Sequence, residues 1–194
     1  VSKTKPVADL IQAYDAGQRI FGENKIQEMV EKYEQMPKDI AWHMIGHVQT
    51  NKVKFMAPFV ALIHGVDSLK LLEEINKQAL KNNRIIDCLL QIHIAEEETK
   101  FGLNEAELIE LLQSDTFKNL QNIKVIGLMG MATFTENQSQ IRKEFNHLKT
   151  IFDQFKIQNS SFKILSMGMS GDHQLAIECG SNMVRIGSSI FGGR

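Results

Sequence analysis

The sequence predicts an α/β protein built as a TIM-type (β/α)8 barrel. Short apolar segments alternate with amphipathic ones along all 194 residues, eight of the apolar segments have strand character, and no linker or composition break divides the chain. Strands that alternate with helices pair in parallel through right-handed crossovers, and eight of them close a barrel. The predicted strands are residues 1–4, 19–23, 42–46, 61–66, 86–94, 124–131, 164–167 and 183–187.

Each predicted strand is short and mostly apolar, as expected for strands buried on both faces. A doubly wound open sheet is the alternative with the same alternation. The first predicted strand is not followed by a G-x-G-x-x-G turn, and this absence weighs against the dinucleotide-binding form of that fold.

The helices lie between these strands. The first, residues 7–16, begins after Pro6 and stops at Gly17. The second, Ile26–Gln35, has apolar residues at helical spacing and ends before Pro37. Further helices are predicted between Asn51 and Pro58 and over residues 69–80, 104–112, 137–155 and 171–179, with caps at Asp67-Ser68 and Asn104 and a stop at Gly180.

The length suits one domain, and we expect residues 1–194 to form it. Only residues 188–194 follow the last predicted strand, too few for an eighth full helix. The chain also opens without Met on what reads as the end of a strand. We therefore expect an N-terminal helix and the start of the first strand to be missing.

The composition narrows the class of protein. The chain has 22 basic and 23 acidic residues and no basic tract. This composition does not favour binding to nucleic acid or to a membrane surface. Cys88 and Cys179 match no metal or redox spacing, which favours a reducing compartment. We expect a cytoplasmic monomer without a metal site.

Two small, hydroxyl-bearing turns follow the last two predicted strands. The first runs from Ser166 to Ser170 and leads into a helix; the second is Gly187-Ser188-Ser189. Barrels commonly hold a phosphate at this place, through backbone N–H groups and hydroxyls. The alternative is that Ser170 is an N-cap and the glycines are turn residues, and the location favours the phosphate.

Lys3 ends the first predicted strand, where an amine would face the barrel mouth. Desolvation favours the neutral, nucleophilic amine that forms Schiff bases. A lysine that snorkels to solvent is the alternative, and Lys5 and Lys100 are competing amines. Arg185 ends the last strand and points either into the mouth or into an ion pair with Glu178 or Asp172.

These residues belong to segments that resemble a known family, the pyridoxal phosphate homeostasis proteins (the YggS/PROSC family). The resemblance runs nearly from end to end, and the order and spacing of its segments make it specific. The matching segments are Val1-Ser2-Lys3-Thr4-Lys5-Pro6, Phe21-Gly22-Glu23-Asn24 with Gln27-Glu28, Trp42-His43-Met44-Ile45-Gly46 with Gln49-Thr50-Asn51-Lys52, Gly127-Leu128-Met129, Leu165-Ser166-Met167-Gly168-Met169-Ser170, and residues 184–192.

The resemblance implies a single barrel like the N-terminal domain of alanine racemase, without that enzyme's C-terminal β-domain. It implies pyridoxal 5′-phosphate (PLP), held as a Schiff base on Lys3. Arg185 would approach the pyridine nitrogen and Asn24 would line the pocket. The phosphate would be held by Ser166, Ser170, Gly187 and Ser188.

Three functions are compatible with this arrangement. In the first, the protein stores, buffers or delivers PLP to apo-enzymes without turnover. In the second, it is a PLP-dependent amino-acid racemase. Racemisation needs an acid–base group on each face, and the chain's two tyrosines, Tyr14 and Tyr33, fall on peripheral helices. In the third, an aldolase-type barrel uses Lys3 on a sugar phosphate. We expect the first.

Overall fold

The structure is a computed structural model that describes residues 1–96 and 101–193. In this part of the chain the strands form one parallel sheet, in which each strand pairs with the next along the chain. The strands are β1 (Ile20–Glu23), β2 (Ala41–Met44), β3 (Leu62–Val66), β4 (Ile86–Ile92), β5 (Ile123–Gly130), β6 (Ile164–Met169) and β7 (Met183–Arg185). This sequential parallel order is that of a barrel rather than of a doubly wound sheet.

The first predicted strand, residues 1–4, is not a strand, and this prediction was wrong. The described sheet has seven strands, and Val1 and Ser2 lie in the gap between its two ends. The N–H of Ser2 donates to the Gly22 carbonyl of β1, and the Val1 amino group donates to the Ile186 carbonyl after β7. Residues 1 and 2 thus bridge β1 and β7 without forming a ladder with either.

The helices follow the predicted pattern, with two short additions. They are α1 (Val7–Asp15), α2 (Ile26–Gln35), α3 (Val53–Met56) after a 3-10 turn at Thr50–Lys52, α4 (Leu69–Lys81), α5 (Glu105–Gln113), α6 (Asp115–Lys118), α7 (Gln138–Gln158), α8 (His173–Glu178) and α9 (Ser188–Phe191). Neither α6 nor α9 is predicted, since each has four residues and no helical stripe. No helix in the described part of the chain is long and apolar enough to cross a bilayer.

Apolar side chains pack on both faces of the sheet. The larger core fills the space between strands and helices and includes Cys88 and Leu90 of β4. A smaller cluster contains Leu62, Leu89 and Met129. Because side chains alternate along a strand, Leu89 faces away from Cys88 and Leu90, which places the smaller cluster inside the barrel. Polar side chains near it are therefore enclosed by the sheet.

Candidate functional site

A cavity of about 410 Å³ opens where the strands end at their carboxyl termini. Its volume falls within the usual range for small-molecule sites, about 300–1,000 Å³. Six of the seven residues predicted for the site line it: Lys3, Asn24, Ser170, Arg185, Gly187 and Ser188. The seventh, Ser166, is fully buried and is not among the lining residues.

Lys3 lies in a tight turn between the ends of β1 and β7. The N–H of Lys5 donates to the Ser2 carbonyl at 3.1 Å, and Thr4 takes a left-handed conformation with φ of 64°. Lys3 is half-buried, and its amine has no hydrogen bond within the described residues. The Lys5 amine instead donates to the Gly193 carbonyl at 2.9 Å. Of these two amines, that of Lys3 is the one without a hydrogen bond among the described residues; Lys100 lies outside them.

A buried ion-paired network fixes the segment that carries Lys3. The Lys32 amine lies 2.8 Å from Glu23 Oε1 and 2.7 Å from Glu28 Oε1, and it donates to the Ser2 carbonyl at 2.7 Å. The Ser2 hydroxyl donates to Glu23, and the Thr4 N–H donates to Glu28, both at 2.5 Å. Burial raises the pKa of Glu23 against the opposite effects of Lys32 and Ser2. The contacts anchor the turn on both sides of Lys3.

We call Ser2, Lys3, Glu23, Glu28 and Lys32 the lysine side of the cavity. Sequence reasoning missed the role of Lys32, which is 5% exposed although it lies on an amphipathic helix. The signal available was its spacing of four residues from Glu28, the separation at which side chains on a helix meet.

The two hydroxyl-bearing turns meet at Ser170. The Ser170 hydroxyl oxygen accepts from the N–H of Gly187 at 3.1 Å and from that of Ser189 at 3.5 Å. Ser170 is not an N-cap, because α8 begins at His173, two residues beyond Gly171. Two backbone N–H groups therefore point to one oxygen at the cavity wall. This is the donor arrangement that an anion oxygen requires.

A bulge at Gly168 sets the geometry between β6 and β7. Ser166 pairs with Met183 and Met169 pairs with Arg185, so three steps along β6 match two along β7. Gly168 has φ of +95°, and a Cβ there would lie 2.5 Å from Cβ of Ala176. A side chain at this position would therefore be strained and would clash.

Arg185 reaches from β7 across β6 to β5. Its Nη1 donates to the carbonyl and hydroxyl oxygens of Ser166 at 3.0 and 2.8 Å, and its Nη2 donates to the Gly130 carbonyl at 3.0 Å. Within the described residues it has no salt bridge; Glu178 pairs with Arg142 instead. Burial lowers the pKa of Arg185 to about 10, which leaves it charged at neutral pH. A buried cation without a paired carboxylate thus lies in the cavity wall.

Ser166 connects Arg185 to two buried histidines. Its hydroxyl oxygen lies 3.1 Å from His64 Nδ1, and His64 Nε2 lies 3.1 Å from His43 Nδ1. Burial lowers the pKa of His43 to about 4 and that of His64 well below its usual value. We call Arg185, Ser166, His64 and His43 the arginine side of the cavity.

The chain's relatives agree with this architecture. The profile described as "Alanine racemase, N-terminal domain" matches residues 4–194. A pyridoxal phosphate homeostasis protein of Aquifex aeolicus is 41% identical over 195 residues, covering 100% of this chain and 85% of the relative. One from Haemophilus influenzae is 38% identical over 199 residues, covering 100% of this chain and 83% of the relative.

The chain belongs to the pyridoxal phosphate homeostasis protein family. The expected resemblance and the barrel-like fold are confirmed. The structure of PipY of Synechococcus elongatus without PLP has a TM-score of 0.91 and 33% identity, covering 98% of this chain and 90% of that one. The PLP-bound structure of PipY has a TM-score of 0.88 with the same identity and coverage.

The relation to alanine racemase is one of fold. The enzyme from Bartonella henselae, whose structure has covalently bound pyridoxal phosphate, has a TM-score of 0.68 at 17% identity. The match covers 98% of this chain but 54% of that one. The family member described here therefore corresponds to about half of the racemase chain.

One wall of the cavity is formed by a loop that sequence reasoning missed. Glu144 of α7 is buried, and its carboxylate accepts from the N–H and hydroxyl of Thr133, each at 2.7 Å, and from the Glu96 N–H at 3.2 Å. Thr133 and Phe134 line the cavity after β5. The sequence signal for this contact was a single glutamate close to the apolar stripe of a long helix. Such glutamates are too common for this one to be singled out.

Proposed function

We propose that this chain binds PLP in the cavity of the lysine and arginine sides and serves to store, buffer or deliver it. PLP has an aldehyde that condenses with a primary amine, with release of water, and a phosphate that needs several donors. The cavity combines an unpaired amine, a buried cation and two converging N–H groups. This combination carries the proposal, and family membership with the PLP-bound PipY structure supports it.

The phosphate end belongs to the two turns. We place it against Ser170, Gly187 and Ser188, because the N–H groups that now meet the Ser170 hydroxyl are suitable donors for a phosphate oxygen. Asp172 also lines the cavity, and its carboxylate accepts from the Met169 N–H at 2.5 Å. That bond directs one carboxylate oxygen toward the backbone rather than toward an incoming anion.

The ring end belongs to Arg185 and Asn24. A guanidinium has only donors and stays charged, so it can donate to a ring nitrogen but disfavours protonation of that nitrogen. An unprotonated ring withdraws electrons less strongly, which weakens chemistry at the amino-acid Cα. The donor contact suits a protein that holds PLP, and the weaker electron withdrawal lowers reactivity at Cα without abolishing it.

The amine is that of Lys3. A direct test is the absorbance spectrum of the purified protein with PLP, before and after borohydride, which reduces a carbon–nitrogen double bond. We expect a yellow band that borohydride abolishes, with the modified peptide containing Lys3. Lys3→Ala removes the band while the far-UV circular dichroism stays unchanged. Lys5→Ala is the matched control; loss of the band there and not in Lys3→Ala would refute the assignment.

The absence of turnover is part of the proposal. Efficient racemisation needs a placed proton donor on the face opposite the lysine, worth about 10²–10⁴-fold. Tyr14 donates to Asp39 at 2.9 Å and Tyr33 stacks on Phe59 at 3.9 Å, and neither lines the cavity. Among the described lining residues there is no histidine, tyrosine or cysteine.

The experiment compares turnover with transfer. Holo-protein is incubated with L-alanine and other L-amino acids, and D-isomers are measured by chiral chromatography. In parallel, an apo PLP enzyme is added and its recovered activity is followed. We expect PLP transfer without appreciable D-isomer. Turnover close to that of dedicated racemases, without transfer, would favour the racemase instead.

A further inference from the structure

The contacts of Arg185 determine which atom donates and which accepts in each hydrogen bond of the arginine side. A guanidinium can only donate, so the Ser166 oxygen accepts at this contact. The remaining contact of the Ser166 hydroxyl is His64 Nδ1 at 3.1 Å. A buried hydroxyl hydrogen without an acceptor is costly, so Ser166 donates to His64.

This donation fixes both histidine tautomers. His64 Nδ1 accepts and therefore carries no proton, which places its proton on Nε2. Nε2 then donates to His43 Nδ1 at 3.1 Å, so His43 also carries its proton on Nε2. The chain of donors runs in one direction, from Arg185 through Ser166 and His64 to His43. His43 and His64 line a second cavity, on the β1–β7 side.

The network is neutral apart from Arg185 itself. Burial keeps both histidines uncharged near neutral pH, and the nearby charge of Arg185 acts in the same direction on His64. A carboxylate in place of these groups would neutralise the guanidinium. Neutral acceptors hold it in place without reducing its positive charge.

We propose that Ser166 and His64 are positioning residues, which hold Arg185 against the cavity through a one-way chain of neutral hydrogen bonds. In this assignment Ser166 acts on a bound ligand through Arg185 and does not contact the phosphate. The effect on ligand binding rests on the proposed function, whereas the direction of the hydrogen bonds from Arg185 to His43 does not.

The direction is tested on the unmodified protein without PLP. Nitrogen-15 NMR of histidine side chains distinguishes the two neutral tautomers. At pH 7 we expect His43 and His64 both to be neutral, with the proton on Nε2. A proton on Nδ1 of His64, or a charged ring at either position, would refute the proposed direction of the hydrogen bonds even if PLP binding were established.

The positioning role is tested with two ligands, PLP and pyridoxal, which lacks the phosphate. Ser166→Ala removes a hydrogen bond to a charged group, and we expect it to weaken the binding of both ligands roughly tenfold. In an Arg185→Met background the same substitution changes affinity by less than about twofold, because contacts that act as a unit are not additive. Loss confined to PLP would assign Ser166 to the phosphate and overturn the proposal.

Ser181→Ala is the matched control. Ser181 is another buried serine beside β6 and β7, and its hydroxyl contacts the carbonyls of Leu165, Met167 and Met183 but not Arg185. We expect no comparable loss of pyridoxal affinity. Equal losses in Ser166→Ala and Ser181→Ala would show a general packing effect and refute positioning. If wild-type protein binds neither ligand, the proposed function fails while the NMR result stands.

Discussion

The two sides of the cavity each bury a basic side chain and compensate it in opposite ways. On the lysine side, Lys32 meets two carboxylates, Glu23 and Glu28. On the arginine side, the hydrogen bonds of Arg185 within the described residues go only to neutral groups, the oxygens of Ser166 and Gly130, and the Asp172 carboxylate acts on it without forming a salt bridge. Lys32 anchors a turn, whereas Arg185 lines the cavity. In this molecule the cation with direct ion pairs fixes a segment, and the cation held by neutral hydrogen-bond acceptors lies at the cavity wall.

The largest effect is expected from removing the cation of the lysine side. Lys32→Met leaves Glu23, which is fully buried, without its charge partner. Breaking a buried pair in this way costs about 3–5 kcal/mol. We expect a loss of that size in the free energy of unfolding, measured by urea denaturation.

A surface pair supplies the control. Half-buried Lys149 and exposed Asp153 form a pair one helical turn apart, and Lys149→Met is expected to cost no more than about 0.5 kcal/mol. Adding Glu23→Gln to Lys32→Met should recover part of the loss, because the buried charge is then absent. A cost for Lys32→Met as small as that of Lys149→Met would contradict the account of the lysine side.

The second effect is a dependence of the free energy of unfolding on pH, caused by His43 on the arginine side. The pKa of His43 is about 4 in the folded protein and about 6.5 unfolded, so acid protonates the unfolded state first. The stabilisation is complete above pH 6.5 and is lost as the pH falls toward 4, by about 3 kcal/mol. On the lysine side the pH dependence of stability has the opposite sign. Because the fold raises the pKa of Glu23, the folded state holds this proton more tightly than the unfolded state, and the contribution of Glu23 to stability grows as the pH falls.

The contribution of His43 is isolated by comparison with His43→Gln. Free energies of unfolding are measured from pH 7 to pH 4 for both proteins. The advantage of the wild type over the variant should shrink as the pH falls through this window, while Glu23 contributes equally to both. An advantage that is constant with pH would show that His43 titrates normally in the fold.

The third effect compares the two cations directly. Arg185→Met leaves the Ser166 and Gly130 acceptors without a donor but leaves no buried charge unpaired. Unsatisfied neutral groups cost about 1–3 kcal/mol, so the loss should be smaller than for Lys32→Met. Urea denaturation of the two variants under the same conditions shows which substitution lowers the free energy of unfolding more. The reverse order would mean that Asp172, which acts on Arg185 without a salt bridge, is a stronger counter-charge than this account allows.

The sequence predicts the cavity better than it predicts the contacts beneath it. Six candidate residues line the cavity because parallel strands bring their carboxyl ends together whatever the details of register. Ser166 lies below the cavity, on the N-terminal side of the bulge at Gly168 that changes the register between β6 and β7. A bulge depends on the pairing of two strands, and a periodic pattern in one segment does not reveal it.

Buried polar partners were missed for a related reason. His64 is a single polar residue in an otherwise apolar predicted strand, and its partner Ser166 is 102 positions away. Residues 1–4 read as a strand by composition, but strand character also requires a paired neighbour. Each of β1 and β7 receives one backbone N–H bond from this segment rather than a ladder. In both cases the deciding fact is a contact between distant parts of the chain.

The smallest effect concerns Ser170, where the two hydroxyl-bearing turns meet. Ser170→Ala removes one hydroxyl that can donate to the phosphate, so PLP affinity should fall by about 0.5–1.5 kcal/mol. Ser170→Asp places a carboxylate where these N–H groups converge, and it would both occupy them and repel the phosphate. We expect the aspartate variant to bind PLP more weakly than the alanine variant in fluorescence titrations. Pyridoxal should not distinguish the two variants, because it has no phosphate to repel. Equal PLP affinities for the two variants would exclude Ser170 from the phosphate contacts.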